Sequence, residues 1–521
     1  MLTVSSLADD NSPPTLRAQV AASAPGDTIV FSTTGTIVLT NSIMIWQTLF
    51  VRGPGPANLT VDANFVDRAF IITGGVPVLL SGLTIKDGLI VGVNGVDGGY
   101  NTNGTDGFPA FGGAILLNNP VINGSLVLSN CWFDRNAVFG GHGGRGGDNT
   151  PFANYPPGNG GNGGVAAGGA VFSFNGNLTA VNCTFSDNRA VGGRGGDGGN
   201  NQNEPRTGGN GGVGGLAQAG AIDLTNITSV MPAFTNCTLS GNYVIGGFGG
   251  NGGANNITLP GGNGGNGATG DSGTMDAFAF YMISCTVVSN TATGGTGGAG
   301  GAGSPAGVSG NSGPGTVGGI RAYLIICNGG VLMGNTILSD NSASTSYTNG
   351  YFRFLDLGFN YFGDDDYIPC ATPFSRIGTV ASPLHAHLGP LAQNGSGLPT
   401  HAPLPGSPVI DWGFRFNTTA DERNAPRPVG APIAASGGDG SDVGAFEFGS
   451  TPLGFIQGGS GGKLVLTWPA CYGDFTLQST ANLLASNSWI NVTGTPVVVG
   501  GQFMATNSTT GSNQFFRLIN H

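Results

Sequence analysis

The stretch NCTFSDN (182–188) decides the fold, because near-copies of it return along the chain at almost constant intervals. The copies are NCWFDRN (130–136), NCTLSGN (236–242), SCTVVSN (284–290) and NTILSDN (335–341), with GLTIKDG (82–88) as an earlier relative. The position that holds cysteine falls at residues 83, 131, 183, 237, 285 and 336, at steps of 48, 52, 54, 48 and 51. Self-similarity at such a period is the signature of a repeat architecture.

Each repeat contains short strand-forming runs and no helical periodicity. Examples are AILL (114–117), LVLSN (126–130) and CWF (131–133), which Asn and Gly turns separate. Strands that pair in parallel without crossover helices predict a solenoid of stacked coils. The sequence therefore predicts an all-β protein built on a right-handed parallel β-helix. A β-propeller also repeats at ~40–50 residues, but it needs four strands per repeat where the glycine tracts leave room for about three.

Stacked coils bring equivalent residues into columns about 4.8 Å apart. The cysteine column is predicted to be buried and free, because parallel stacking disfavours disulfide torsions; it comprises Cys131, Cys183, Cys237 and Cys285. The asparagine column is predicted to form tight left-handed bends and to bond from coil to coil; it comprises Asn136, Asn188, Asn242, Asn290 and Asn341. Outside the column lie Cys327, Cys370 and Cys471, whose disulfide state stays open.

Glycine accounts for 99 of the 521 residues and is concentrated in tracts with a period of three. The tracts are FGGHGGRGGD (139–148), VGGRGGDGGN (191–200), IGGFGGNGGA (245–254) and TGGTGGAGGAG (293–303). Each is answered by a second tract: GNGGNGG (158–164), GGNGGVGG (208–215), GGNGGNG (261–267) and a degraded SGNSGPG (309–315).

A period of three is that of the extended left-handed polyproline II helix, whose backbone groups are unpaired along its own length. Helices without side chains on two of three faces can approach closely and bond laterally. The tracts therefore predict packed layers, and they resemble the polyglycine-II sandwiches of some phage tail-tip adhesins, glycine-rich antifreeze proteins and mycobacterial glycine-rich repeat proteins. Flexible linkers are the alternative.

Charge and hydropathy restrict the partners. Charged residues make up 9% of the chain, the net charge is −11, and the two lysines are Lys86 and Lys463. This composition leaves no basic patch for a phosphate backbone, so we expect no nucleic-acid partner. We expect no transmembrane segment either, since no apolar run approaches the ~18 residues of a membrane span. The start MLTVSSLADD is not a signal peptide; we expect a secreted or cell-surface protein whose signal peptide is absent from this chain.

Two regions resemble a known family. The N-terminal one is TLRAQVAASAPGDTIVF (15–31), and the C-terminal one combines LGPLAQNGSGLPTHAPLPGSPVIDWG (388–413), DERNAPRP (421–428) and DVGAFEF (442–448). Together with the repeats, they resemble bacterial extracellular β-helix repeat proteins of the surface-protein type. The resemblance implies an N-terminal cap and C-terminal coils. It implies no catalytic role for the motif residues, whose Asp and Arg would close the open end of the solenoid.

The chain after residue 450 is predicted to be a separate small β-sandwich. Its strand-like runs are KLVLTW (463–468), FTLQST (475–480), SWINV (488–492), FMATN (503–507) and QFFRLIN (514–520), preceded by a linker at 451–462. It is similar to C-terminal modules of Verrucomicrobia- and Planctomycete-type extracellular proteins. We therefore divide the chain into N-terminal cap and coils (1–88), repeat coils with glycine-rich inserts (89–345), C-terminal coils and cap (346–449) and the sandwich (450–521).

One column suggests enzymatic chemistry. Counting three residues from Gly113, Gly169, Gly220, Gly273 and Gly318 gives Leu116, Phe172, Asp223, Asp276 and Arg321. Two carboxylates and an arginine on successive coils resemble the sites of β-helix pectate lyases and polygalacturonases. An ion pair on the solenoid wall is the alternative.

A second acidic group could bind calcium. Asp364, Asp365 and Asp366, with Asp356 nearby, offer carboxylate oxygens, although an ordinary acidic turn explains the same residues. We expect no other cofactor.

The combined features favour an extracellular structural or adhesive protein, either a cell-surface adhesin or a subunit of a self-assembling filament. The alternatives are a β-helix polysaccharide lyase or glycoside hydrolase, and a glycan-binding module for surface glycans. Head-to-tail association is expected through the apolar terminal strands LTVSSL (2–7) and FFRLI (515–519).

Overall fold

The structure is a computed structural model that carries all side chains. It describes residues 1–119, 124–149, 155–202, 206–224, 231–255, 259–323, 330–345, 347–351, 354–364, 374–429, 437–449, 454–457, 463–469, 475–482, 489–499, 502–508 and 514–520. Five residues singled out above lie outside these ranges: Cys327, Asp365, Asp366, Cys370 and Cys471.

The protein is a parallel β-helix with three walls, as its repeats predict. The strands of the N-terminal coils are β1 (Leu2–Val4), β2 (Asp27–Phe31), β3 (Gly35–Val38), β4 (Ile43–Ile45), β5 (Leu49–Arg52), β6 (Leu59–Asp62), β7 (Phe70–Thr73), β8 (Pro77–Ser81), β9 (Thr84–Lys86) and β10 (Leu89–Val91).

The coils with glycine inserts follow. Their strands are β11 (Ala110–Phe111), β12 (Ile115–Asn118), β13 (Gly124–Asp134), β14 (Ala137–Phe139), β15 (Ala166–Ala167), β16 (Val171–Ser173), β17 (Gly176–Ser186), β18 (Arg189–Val191), β19 (Ala217–Gln218), β20 (Ile222–Leu224), β21 (Ala233–Thr235), β22 (Thr238–Ser240), β23 (Tyr243–Ile245), β24 (Gly270–Asp271), β25 (Met275–Ala277), β26 (Phe280–Ile283), β27 (Thr286–Val288), β28 (Thr291–Thr293), β29 (Ile320–Ala322), β30 (Val331–Gly334), β31 (Ile337–Ser339), β32 (Ser342–Ala343) and β33 (Gly350–Tyr351). The predicted runs at 126–130 and 131–133 form one strand, β13, because Asn130 turns the chain without ending the pairing.

The walls are stacks of parallel strands. Wall 1 contains β1, β2, β5, β8, the first halves of β13 and β17, β21, β26, β30 and β34 (Leu355–Gly358). Wall 2 contains β3, β6, β9, the second halves of β13 and β17, β22, β27, β31, β35 (Tyr361–Phe362) and β36 (Arg376–Ile377). Wall 3 is the eight-stranded sheet β4-β7-β12-β16-β20-β25-β29-β33.

The core is a continuous file of apolar side chains that the three walls enclose. Equivalent residues stack directly, so the rings of Phe133 and Phe185 lie 4.8 Å apart at an interplanar angle of 6°. The cysteines of the column are free and fully buried in the same file. Burial raises the pKa of Cys183 and Cys285 well above the usual value, which keeps these thiols unreactive.

The buried asparagines form a hydrogen-bonded ladder at one corner. In each step Nδ2 and the backbone N–H of one residue donate to Oδ1 of the next, as Asn188 does to Asn242 at 2.9 and 3.0 Å. The ladder continues from Asn341 to Asn349, which the repeat pattern did not reveal. The expected left-handed bend lies one residue earlier, at Arg135, Asp187, Gly241, Ser289 and Asp340. The prediction of the bend position was wrong. In most coils a residue with a short side chain, or glycine, adopts the left-handed conformation, and the asparagine after it hydrogen-bonds to the next coil.

The N-terminal end is capped by a short helix, α1 (Leu16–Ala22). Thr15 Oγ1 accepts the N–H of Ala18 at its N-terminus, and Leu16 and Val20 are buried on the first coil. Arg17 pairs with Asp9 and donates to the carbonyl of Ser42 at 3.0 Å. Among the described residues α1 is the one helix. No helix in the described ranges is long and apolar enough to cross a membrane.

Residues 388–429 and 437–449, which we call the clamp, lie along the side of wall 2. They contain the hairpin β37 (Leu388–Gln393) and β38 (Pro399–Pro403). The hydroxyl of Thr286 accepts the N–H of Ala445, and Asn335 Nδ2 donates to the carbonyl of Asp442. The family motif therefore does not close the end of the solenoid, as the resemblance implied, because its polar groups bond to successive coils.

The tail is a two-sheet antiparallel sandwich. Its strands are β39 (Gly454–Gln457), β40 (Lys463–Pro469), β41 (Phe475–Thr480), β42 (Ile490–Asn491), β43 (Val497–Val499), β44 (Gln502–Ser508) and β45 (Phe515–Asn520). β39 falls inside the predicted linker, since this segment pairs with the free edge of β40. Leu466, Trp468 and Leu477 pack on Ala402 and Phe446 of the clamp.

Candidate functional site

The acidic column predicted from glycine alignment is in register on wall 3. Asp223 lies opposite Asp276, and Asp276 lies opposite Arg321. The column starts at Leu116 and Phe172, which precede Asp223 on the two earlier coils. The structure therefore brings all three predicted residues together.

A third carboxylate and a tyrosine join this group. Arg321 binds Asp276 through two N–H groups, at 3.2 Å to Oδ2 and 3.3 Å to Oδ1, and contacts Asp271 with Nη1. Tyr323 donates to Asp276 Oδ2 at 3.1 Å, and its ring lies 4.3 Å from Arg321 Cζ. Asp271 could not be found from the alignment of glycines, because it directly follows a glycine tract. The structure places it on β24, opposite Gln218 at the base of the inserts.

Burial controls the charges of the group. Asp276 is 0% exposed, and burial raises its pKa well above the usual value, with Asp223 and Asp271 raising it further. Burial also lowers the pKa of Arg321 to about 10. Three carboxyl groups thus surround one guanidinium in a place where charge is poorly solvated.

This group closes the corner between wall 3 and the base of the glycine inserts. Two coils earlier the same corner is filled by Phe111, Phe172 and Phe174, with ring centroids 4.6–5.6 Å apart. Tyr323 caps the polar part of the corner and is 40% exposed. The side chains of Asp271, Asp276, Arg321 and Tyr323 bond to one another, so the arrangement can brace the corner.

The calcium candidate is only partly described. Burial raises the pKa of Asp364. Asp356 is occupied, because its Oδ1 accepts from Gly358, Asn360 and Ser375 at 2.7–2.9 Å. Within the described ranges no three His, Cys, Asp or Glu side chains are grouped so that they could hold a metal ion.

A cavity of about 280 Å³ lies between the clamp and wall 2. It is lined by Val288, Ser289, Asp340, Leu388, Gly389, Pro390 and His401. His401 Nδ1 donates to the carbonyl of Gly389 at 2.8 Å, so Nε2 accepts from Ser240 at 2.8 Å. Both nitrogens are therefore used to hold the clamp.

The largest organised surface is the pair of glycine layers, which we call the glycine sandwich. The outgoing segments are 89–101, 139–149, 191–201, 245–255 and 293–303, and the return segments are 102–110, 158–166, 208–217, 261–270 and 307–315. Each triplet has three distinct bonds. Gly249 donates to Thr296 of the next coil at 2.9 Å, and Gly250 donates across the layers to Gly212 at 2.8 Å. The N–H of Asn251 donates to the side chain of Asp197 at 2.7 Å.

The third residue of the triplets forms outward ladders. Asn251 Oδ1 accepts the N–H of Ala299, Asn159 Oδ1 that of Asn210, and Asn210 Oδ1 that of Asn263. The Asn and Asp residues in the tracts are thus not only solubilising, because their side-chain oxygens satisfy the third backbone N–H. The sandwich consequently has two flat faces with side chains at regular intervals, including a Phe248 that is 47% exposed.

A second asparagine ladder closes the far end of the sandwich. Asn149 Nδ2 donates to Asn201 Oδ1 at 2.5 Å, and Asn201 pairs with Asn255 on the next coil. The side-chain amides of Asn201 and Asn255 both donate to the carbonyl of Arg206. The sequence signal was the asparagine near the end of each outgoing tract, one position beyond the period of three.

Comparison with known proteins gives little. No protein-family model matches the chain, and no curated protein matches it. One solved structure, described as the nine polyproline type II helical bundle antifreeze protein of the springtail Granisotoma rainieri, matches with 23% identity over 43% of this chain and 92% of that chain. The TM-score is 0.16, so this likeness carries no argument about the fold or the function.

Proposed function

We propose that this chain is an extracellular structural and adhesive protein, a bacterial cell-surface adhesin or a subunit of a self-assembling filament. The observation that carries the proposal is the glycine sandwich, whose backbone N–H groups bond between coils and between layers. Such a plate is stiff without a core of side chains. Its outward residues are available for repeated weak contacts, which add up when a ligand is itself repetitive.

The closed polar corner supports this reading over an enzyme. A lyase or hydrolase needs carboxylates that reach the sugar, whereas Asp276 is fully buried and bound to Arg321 and Tyr323. Surface glycans are the ligand class that the flat polar faces favour, since amide and carboxylate groups bond to sugar hydroxyls.

The adhesive role is tested by binding. We expect beads coated with the whole chain to be retained on surfaces that carry bacterial or plant polysaccharides, and we expect no soluble fragments from the same polysaccharides. A variant with Asn159→Ala and Asn210→Ala should bind more weakly, whereas Asn58→Ala, an exposed asparagine in the N-terminal coils, should not. Release of oligosaccharides, or absence of retention on every surface, would contradict the proposal.

The filament form is tested by size. β45 is an edge strand of the tail sandwich and pairs only with β41 among the described strands, which makes it a candidate contact. On the other side the proposed contact is the N-terminal segment 2–7, whose strand β1 pairs with β2. Sedimentation of the full chain and of a form lacking residues 451–521 should then differ in association state. A full chain that is monomeric at high concentration leaves the tethered adhesin.

A further inference from the structure

The clamp is attached to wall 2 by a buried carboxyl group that has no cationic partner among the residues that the structure describes. Glu422 is 0% exposed, and its two oxygens meet the hydroxyls of Thr184 and Thr238. Arg423, the nearest guanidinium in sequence, pairs with Asp421 instead. An ionised carboxylate in such surroundings is strongly disfavoured, because burial removes its hydration without supplying a counter-charge.

The hydrogen atoms around Glu422 decide its protonation. Thr184 Oγ1 lies 2.8 Å from Glu422 Oε1 and 2.9 Å from the carbonyl oxygen of Pro399. A hydroxyl has one hydrogen and a carbonyl can only accept, so both contacts of Thr184 are satisfied together only when Thr184 donates to Pro399 and accepts from a protonated Glu422. The short contact with Oε1 is then a hydrogen bond only if Glu422 donates to Thr184. Thr238 completes the set by donating to Oε2.

We propose that the clamp is fastened to the β-helix by a neutral carboxylic acid at Glu422, and that raising the pH unfastens the clamp and the tail sandwich packed on it. Loss of the proton leaves a buried negative charge, and the single hydrogen of Thr184 then has to serve two acceptors, Glu422 Oε1 and the carbonyl of Pro399. A neighbouring carboxyl group makes the charge worse, since Asp421 is the next residue.

The energetics agree with the proton count. Burial is the largest cause that raises the pKa of Glu422 well above its usual value, and the two threonine hydroxyls only partly oppose it. A carboxyl group whose pKa is higher in the folded than in the unfolded chain stabilises the fold at low pH. That contribution is lost as the pH rises through the folded-state pKa.

Other titratable groups of the clamp behave differently. His401 bonds to the same wall strand through Ser240, and burial lowers its pKa, so it stays neutral until the pH is acidic. Glu447 is paired with Arg427 at 3.0 Å, and its oxygens accept the N–H groups of Val429 and Asp442. Burial raises the pKa of Glu447 to about 7, so its titration precedes the alkaline range.

The protonation state can be read directly by carbon-13 NMR. The chain has three glutamates, Glu204, Glu422 and Glu447, so selective labelling of the glutamate carboxyl carbon gives three assignable signals. We expect one signal at the position of a neutral acid at pH ~7, well above the ordinary glutamate pKa of about 4.3, and we expect it to vanish in Glu422→Gln. A Glu422 signal at the carboxylate position at that pH overturns the proposal.

The unfastening is tested by hydrogen exchange, normalised to the intrinsic rate at each pH. In the full chain we expect amides of 399–403 and 421–425 to lose protection above neutral pH by more than tenfold, while amides of β13 and β17 do not. Glu422→Gln should keep this protection, because its amide donates to Thr184 and accepts from Thr238 as the neutral acid does.

The matched control is Glu447→Gln in the same clamp. This variant places a side-chain amide N–H against a backbone N–H, so it should weaken the protection of the clamp amides from exchange at every pH. The additional loss of protection above neutral pH should remain. If Glu422→Gln and the unaltered chain lose protection alike at high pH, the latch is excluded. The adhesive proposal is untouched by that result, since binding is measured on the glycine sandwich.

Discussion

The β-helix walls and the glycine sandwich are two halves of the same coils, but different groups hold them together: side chains in the walls and backbone groups in the sandwich. In the walls, large side chains such as Phe133 and Phe185 stack inside a closed core. In the sandwich, side chains are absent from the interior, and backbone groups bond in two directions. A solenoid can therefore be held together by burial of apolar side chains or by backbone hydrogen bonds alone. Large apolar residues in the sequence indicate the first kind of packing, and glycine-rich tracts indicate the second.

The comparison predicts opposite tolerances. A wall position should accept a smaller apolar residue at moderate cost and reject a charge. A glycine position of the sandwich should reject any side chain, because a Cβ at Gly250 would lie 1.9 Å from the carbonyl oxygen of Gly196.

The largest effect is expected for Phe185→Asp in the core. The ring is fully buried, so the substitution removes its burial and leaves an unpaired charge among apolar side chains. We expect loss of the cooperative thermal transition of the walls, whereas Phe185→Leu should retain it at a lower midpoint. An unchanged melting curve for the Asp variant would show that this position is not core.

The second effect is Gly250→Val in the sandwich. Over-packing at a closed position costs about 1–3 kcal/mol, and here the contact is with backbone that cannot rotate away. We expect amides of 245–255 and 191–201 to exchange near random-coil rates while the wall strands stay protected. Phe248→Val is the control, because that side chain is exposed on the outward face and accepts no hydrogen bond. Random-coil exchange of the tracts in the unaltered chain would mean that the sandwich is not ordered.

The third effect lies at the corner that joins the two halves. Asn242→Ala leaves the amide of Asn188 without its acceptor in a fully buried place, which costs about 1–3 kcal/mol. We expect a lower unfolding midpoint in urea with an unchanged slope. Asn236→Ala, on the same coil but outside the ladder, should shift the midpoint less.

The smallest effect concerns the polar corner and changes sign with pH. Asp223→Asn removes one of the charges that raise the pKa of Asp276, and that pKa should fall toward its usual value. Because a raised carboxyl pKa makes stability decline as the pH rises, the variant should melt higher than the unaltered chain at neutral pH and match it at low pH. A melting difference that does not depend on pH would exclude this electrostatic origin.

Much of the fold could be predicted because the same sequence pattern occurs in every coil. The cysteine spacing locates the coils, and the glycine period identifies the sandwich. The register of Asp223, Asp276 and Arg321 followed from aligned glycines. Periodic features are over-determined, since each coil repeats the same local pairing.

The rest could not be predicted because it arises from contacts between distant, non-repeating segments. Nothing in the sequence near Glu422 indicates that it meets Thr184 and Thr238, more than 180 residues earlier in the chain. Asp271 escaped prediction for a different reason, since it lies on β24, a two-residue strand beside the glycine insert that the alignment of glycines on wall 3 does not cover. The motif residues of the clamp were predicted to form an end cap, because the sequence reveals their chemistry and not their position in the fold.

The edges of the glycine sandwich contain side chains where inner coils have glycine. Val93 and Val96 occupy the places of Gly141 and Gly144, whose Cβ atoms would lie 2.1 Å from the carbonyl oxygens of Val93 and Val96. At the opposite edge Ser309 and Ser312 replace Gly264 and Gly267. Glycine is thus required only where another layer follows, and the degraded last tract is a boundary. The tracts in which glycine is replaced therefore set the number of coils in the glycine sandwich. Duplicating one inner repeat would lengthen the sandwich by one coil without altering either edge.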